Sequence, residues 1–202
     1  MITIVSGLPR SGTSLMMQML SAGGAHVLSD GERIADADNP RGYWEWERIK
    51  QLPKDPACIE EAEGKVVKVV SQLLYALPAG HDYQIIFMER PLPEVVASQA
   101  EMIRRRKAAG PALPESALIA ALKAHLNQVN AWLALKPFIR VTRIEYHSVL
   151  HDPRGSASSV QSFLQTELDV EAMARQVDPS LYRQRSIPDW KIASGPGRGI
   201  GR

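Results

Sequence analysis

The sequence predicts a three-layer α/β fold, a central and mostly parallel sheet flanked by helices. Three observations lead there. Short apolar, β-branched runs recur at residues 2–5, 66–70, 84–89 and 138–143. Longer helix-forming segments alternate with them. Most of the runs are apolar with little interruption, which marks strands covered on both faces.

The elements follow in order. ITIV, residues 2–5, is short and bounded by Ser6 and Gly7, which suits a buried strand. Residues 13–22 read as a helix stopped by Gly23 and Gly24. Residues 29–45 are polar and turn-rich and read as a loop. Residues 46–52 form a short helix halted by Pro53. A second strand at 66–70 leads into a helical turn over 71–77, closed by Pro78. QIIFME, residues 84–89, is the third strand. Residues 93–107 form a helix with Pro93 in its first turn and Gly110 and Pro111 beyond its end. A long helix over 116–135 ends before Pro137. The strand at 138–143 alternates more than the others, which places it nearer an edge. Helices at 154–165 and 169–176 complete the chain.

A chain of 202 residues suits one domain, here residues 1–193, with SGPGRGIGR (194–202) as a flexible glycine-rich tail. It can bury roughly 70% of its unfolded surface, so its core needs no staples. The net charge of +2 is too small to argue for a nucleic-acid partner. Cys58 stands alone, which excludes an intrachain disulfide and fits a reducing compartment. No apolar run reaches the ~20 residues of a membrane span. The expectation is a cytoplasmic protein without a membrane partner; its oligomeric state is not legible.

SGLPRSGTSLM, residues 6–16, joins the first strand to the first helix. Gly7 and Gly12 have the spacing of the phosphate-binding P-loop G-x-x-x-x-G-K-[ST], but Thr13 stands where the lysine belongs. Such a loop turns backbone N–H groups toward an anion at a helix N-terminus. Without the lysine, Arg10 is the loop's source of positive charge. No strand-like run ends in an aspartate that would hold Mg²⁺. Triphosphate hydrolysis therefore lacks two of its parts.

PRSGTSLM (residues 9–16) resembles the phosphosulfate loop of the sulfotransferases, the tyrosylprotein and bacterial branches in particular. The resemblance implies that Gly7, Pro9, Arg10, Ser11, Gly12, Thr13 and Ser14 hold the 5′-phosphosulfate of 3′-phosphoadenosine 5′-phosphosulfate (PAPS). IIFMERPLPEVVAS adds Arg90 and Ser98, eight residues apart, which resemble the family's 3′-phosphate ligands. The two motifs lie about eighty residues apart in the family's order. NPRGYWE (39–45), the 66–78 run and the 146–164 run extend the likeness over most of the chain. Cytosolic members close an Arg-Lys-Gly loop over the 3′-phosphate. That tripeptide is absent here, and Arg183, Arg185, Lys191 and Arg198 are the available replacements.

The implied reaction is in-line transfer of a sulfuryl group to a hydroxyl or amine. It requires a proton acceptor and positive charge on the departing oxygen, and no metal. Related enzymes place the base beyond the first helix. Among the acids there, Glu45 leads, with Trp44 and Trp46 expected to desolvate it and raise its pKa; Glu32 is second. Lys68, on an otherwise apolar strand, either stabilises the leaving group or snorkels from a strand end. Tyr43, Trp44 and Trp46 suit a ring-containing acceptor or simple packing, so the expected partner is a small-molecule or glycan-like acceptor. His147 and His151 have helical metal spacing without an obvious third ligand. The run 104–107 reads as a solvated basic helix end, and Met16, Met17, Met19 and Leu20 as core. Two other functions stay open: a nucleotide-binding module without turnover, and a small-molecule kinase. Arg90 has an alternative role too, pairing with Glu94.

Overall fold

The chain enters directly at the centre of the sheet. The structure, a computed structural model, describes residues 1–36, 38–105 and 113–183. β1 (Ile2–Gly7) lies between β3 (Val66–Lys68) and β4 (Tyr83–Glu89), with β2 (Val27–Leu28) beyond β3 and β5 (Ile139–Glu145) beyond β4. Every pairing is parallel. Ile2 stands opposite Tyr83 and Gly7 opposite Met88, so β1 and β4 end together.

Side chains alternate between the two faces of these strands, which builds two cores. Ile2, Ile4, Ile85 and Phe87 face one layer, where they meet Leu52, Ile59, Leu74 and the α3 residues Val129 and Leu133; α3 spans Glu115–Ala134. Val5, Ile86 and Met88 face the other layer. There they meet Met16, Met17, Met19 and Leu20 of α1 (Thr13–Ala22), Val160 of α5 (Pro153–Leu164) and Met173 of α6 (Val170–Ala174). The methionine group of α1 is fully buried, as core packing requires. α2 (Leu92–Arg105) follows β4, and α4 (Tyr146–His151) follows β5.

β5 is an edge strand among the described residues, with Ile139 and Ile144 buried and Arg140, Arg143 and Glu145 exposed. The alternation in its sequence has that cause. β2 escapes sequence reading because two residues carry no period; only pairing with β3 makes it a strand. The short helical segments at Glu47–Gln51 and Ser71–Ala76 are 3₁₀, as is an additional one at Pro56–Ala62, which buries Cys58, Ile59 and Ala62. Arg106, Lys107, Gly110, Pro111 and the tail 194–202 lie outside the described residues. No helix among the described residues is long and apolar enough to cross a membrane.

The topology puts the site at one end of the sheet. β1 leads through α1 toward β2 and β3 on one side, while β4 and β5 lie on the other. Open parallel sheets bind ligands at such a switch point, beyond the carboxyl ends of the strands. Gly7, Lys68, Arg90 and Tyr146 all stand at or just past those ends.

Gly7 is fixed by this arrangement. Its φ is 147°, and a Cβ would lie 2.5 Å from Ser11 Oγ and 2.6 Å from the Met88 carbonyl oxygen. Gly24, with φ of 93°, has open space around it. Gly24→Ala is expected to cost about 1–2 kcal/mol, the left-handed backbone alone. Gly7→Ala adds a backbone clash and is expected to cost about 3 kcal/mol or more. Thermal melts of the two variants check this: Gly7→Ala lowers Tm by roughly 6–12 °C, clearly more than Gly24→Ala.

Candidate anion-binding site

The loop of residues 8–12 curls from β1 into α1. Arg10 has φ of 78° and Gly12 of 102°, so the chain turns through the left-handed region twice in three residues. Gly12 sits against the Tyr146 ring, where a Cβ would be 2.5 Å from Cδ2. It begins α1 without a side-chain cap, and the first turn holds no acid. The helix's first N–H groups and the positive end of its dipole are left for a ligand. Ser11 Oγ is buried and has no hydrogen-bond partner among the described residues.

The two sequence motifs meet in space. Arg10 Nε donates to Ser98 Oγ at 2.9 Å and its Nη2 to the Asp38 carbonyl at 2.8 Å. Arg90 Nη1 donates to the Arg10 carbonyl at 3.1 Å, and its Nε to Glu94 Oε2 at 2.8 Å. The Arg90–Glu94 pairing foreseen as an alternative is therefore present together with a loop contact. Both side chains are buried, 7% and 2% exposed. Arg90 also lies over the Tyr146 ring, 4.6 Å from its centroid. Burial pushes the Arg10 pKa down, an effect that Tyr43 and Asp38 oppose.

The charge missing at Thr13 arrives from β3. Lys68 is 6% exposed, and its Nζ lies 3.3 Å from Ser14 Oγ and 3.3 Å from Glu45 Oε1 and donates to the Tyr43 carbonyl. It is a buried ammonium in the cavity wall rather than a snorkelling strand end. Desolvation lowers its pKa to about 8 against the pull of Glu45. Glu45 is held by Arg33 as well, at 2.9 Å. Burial raises its pKa, but Lys68 and Arg33 together outweigh burial and leave it below the ordinary carboxylate value. The expectation of a raised pKa is overturned because sequence shows the tryptophans and not the two cations. Trp46 belongs to the core and Trp44 packs against the other core cluster. Neither lines the cavity, whereas Tyr43 does.

A cavity of about 310 Å³ collects these groups. Pro9, Arg10, Gly12, Thr13, Ser14, Glu45, Lys68, Arg90 and Ser98 line it. Gly7 and Ser11 lie beneath it in the loop, and Glu32 is exposed and away from it. The described lining carries six cations (Arg10, Arg33, Lys68, Arg90, Arg105, Arg183) and four carboxylates, so the cavity suits an anion. Arg183 is thus at the site, while Arg185, Lys191 and Arg198 lie outside the described residues. Sequence reasoning missed Arg33, weighed Asp38 only among the candidate bases, read Arg105 as part of a solvated helix end and missed Tyr146. The first two sit in a loop without periodicity. Arg105 carried a signal, since it follows Ser98 by seven residues on one face of α2.

Behind Arg90 lies a polar cluster. Tyr182 Oη donates to Glu94 Oε1 at 2.6 Å, and His147 Nε2 is 3.0 Å from the same oxygen. His147 is thereby engaged with Glu94 and Tyr182; among the described residues no group of side chains could hold a metal ion. Glu94→Ala removes the carboxylate that balances a buried guanidinium and anchors the C-terminal Tyr182. The expected loss is about 3–5 kcal/mol, read as a reduced midpoint in urea denaturation with an unchanged slope.

No protein-family model matches the sequence, and no curated protein matches it. Among solved structures, the chain resembles the sulfotransferase domain from the curacin biosynthetic pathway, with a TM-score of 0.55 and 15% identity over 88% of this chain and 77% of that one. It also resembles the sulfotransferase domain of the Synechococcus PCC 7002 olefin synthase, with a TM-score of 0.50 and 14% identity over 94% of this chain and 82% of that one. At these identities the likeness concerns the fold, and the fold of this chain is that of the sulfotransferase domains.

Proposed function

We propose that the chain is a PAPS-dependent sulfotransferase acting on a hydroxyl or amine of a small-molecule or glycan-like acceptor in the cytoplasm, with residues 1–193 as its one domain. The observation that carries the reading is the contact between motifs eighty residues apart, Arg10 on Ser98 and Arg90 on the Arg10 carbonyl, at the open N-terminus of α1. The residues fit a phosphosulfate. Gly7 and Gly12 leave no room for Cβ atoms, Ser11 Oγ is a buried donor without a partner among the described residues, and the lining is rich in guanidinium.

PAPS supplies an activated sulfuryl group. Everything else falls to the chain. The α1 N–H groups and Arg10 orient the 5′ anion. Arg90 and Ser98 are assigned to the 3′-phosphate. Lys68, an ammonium at neutral pH, supplies charge beside Ser14 where negative charge develops on the departing oxygen. Glu45, kept ionised by Lys68 and Arg33, accepts the acceptor's proton. Its lowered pKa makes it a weak base, so positioning rather than basicity must supply its effect.

Calorimetry without Mg²⁺ tests the reading. The chain is expected to bind adenosine 3′,5′-bisphosphate more tightly than adenosine 5′-phosphate. Arg90→Ala should erase that preference, about ten- to a hundredfold. Preference for ATP with Mg²⁺ would instead support a kinase, and binding without transfer to any acceptor a module without turnover.

Glu45→Gln frees Lys68 and Arg33 and so is expected to change nucleotide affinity as well. Its loss as a base is read separately, as kcat lowered by about 10²–10⁴-fold at saturating labelled PAPS. The Lys68 pKa sets a pH dependence. A lysine depressed to about 8 is charged below that pH and neutral above it. Affinity for adenosine 3′,5′-bisphosphate in the wild type should therefore hold below pH 8 and fall about tenfold above it. Lys68→Arg should keep its affinity through pH 9.5.

A further inference from the structure

The turn-rich segment between α1 and the first 3₁₀ helix crosses the cavity as a strap of residues 36 and 38–43. It is braced internally. Asp36 accepts from the Asp38 and Asn39 N–H groups at 2.8 and 3.0 Å and from Tyr43 Oη at 2.7 Å. It is also tied at both sides of the cavity. Arg41 donates to the Gln176 carbonyl and to Asp178 Oδ2 in the C-terminal segment. On the opposite side, Asp38 Oδ1 accepts from Arg105 of α2 at 3.0 Å.

Asp38 is the informative residue. Its carbonyl takes Arg10 at 2.8 Å while its carboxylate takes Arg105, and that side chain is 8% exposed. A buried acid thus gathers two guanidinium groups that both line the anion cavity. Arg105 lies two turns beyond Ser98 on the same face of α2, and both residues line the cavity. A guanidinium partly drawn out of water needs an anionic partner. Within the chain Asp38 supplies one, and Glu101 shares Arg105 at 2.8 Å.

We propose that Asp38 is an internal stand-in for the ligand: a bisphosphate-type anion takes Arg10 and Arg105 by displacing it, so that Arg105 is a ligand-binding residue and the strap sets the cost of entry. For the nucleotide this rests on the reading above; for a plain anion it does not. Moving Asp38 aside breaks one carbonyl contact and one ion pair, and the ligand restores both to the arginines, while the Tyr43 carbonyl stays on Lys68 and Ser14. The Arg41 tether keeps the strap attached on its far side.

The experiment titrates two probes, adenosine 3′,5′-bisphosphate and inorganic pyrophosphate, against wild type, Asp38→Asn and Arg105→Gln by calorimetry. Asp38→Asn keeps the shape and the carbonyl but gives up the charge. It is expected to raise affinity for both probes about three- to tenfold. Arg105→Gln, which releases the same ion pair from the other side, is expected to lower affinity about tenfold. Opposite signs are the signature. If both variants bind more tightly, Arg105 is only a latch and its role as a ligand is overturned. If Asp38→Asn changes neither affinity, the stand-in is overturned. Should Asp38→Asn fail to fold in a thermal melt, Arg105→Gln alone decides: weaker binding upholds the proposal and unchanged or tighter binding overturns it. Opposite signs for pyrophosphate, with no nucleotide binding by any of the three proteins, would uphold the strap and reject the PAPS reading.

Discussion

A buried guanidinium organises this site. Arg90, 7% exposed, has to satisfy its donors inside the protein. It spends them on Glu94 and on the carbonyl of Arg10 and lies over the Tyr146 ring. Those bonds join the end of β4 to the turn after β1, to the first turn of α2 and, through Glu94, to Tyr182 near the end of the described chain. Breaking one partner of such a pair leaves an uncompensated charge, so removing either one costs stability. The positive-φ conformation of Arg10 is maintained from outside the loop in the same way. A non-glycine residue in that region costs about 1–3 kcal/mol, and Arg10 is held there by its own carbonyl contact and by two side-chain bonds.

The cavity's charge has a second consequence. Positive groups outnumber carboxylates in the described lining, yet Arg10, Arg33, Lys68 and Arg90 each bond to the protein. Bringing cations together in a half-buried space requires partners before a ligand arrives. Glu45 serves Lys68 and Arg33, Asp38 serves Arg105, and Glu94 serves Arg90. On the proposed reading, Glu45 therefore has two duties that pull against each other. Its neighbours keep it ionised, and in doing so they make it a poor base.

The strand pattern made the fold legible: every strand of three residues or more came from an apolar run, and the alternation of β5 marked the edge. The loop was legible because its tight turn restricts a short stretch of backbone to few residue types, and Arg90 with Ser98 because the pair resembles a known motif. What could not be read was the pairing across the chain. Glu45 has tryptophans on either side in sequence, but its pKa is decided by Lys68 and Arg33, twenty-three and twelve residues away. Asp38 and Arg105 are separated by sixty-seven residues and meet only because the segment after α1 crosses to α2. Burial by local neighbours is a sequence property; electrostatics at a switch point belongs to the topology.

The absent P-loop lysine shows how far that distinction goes. A lysine inside the loop would place its charge by local geometry alone. Here the cations come from the loop, from β3, from the turn after β4 and from α2, and only the register of the sheet brings them within reach of one another. Lys68 lies opposite Val5 in the ladder, two residues before Gly7, so a slip of one residue would turn its side chain to the other face. An anion that bridges these cations binds the folded chain and not the unfolded one, and stabilises it by RT ln(1 + [L]/Kd), about 2.7 kcal/mol at a hundredfold excess over Kd. Dispersing the charge thus converts a property of one loop into a property of the whole sheet end, and makes ligand binding a measure of whether that end is assembled.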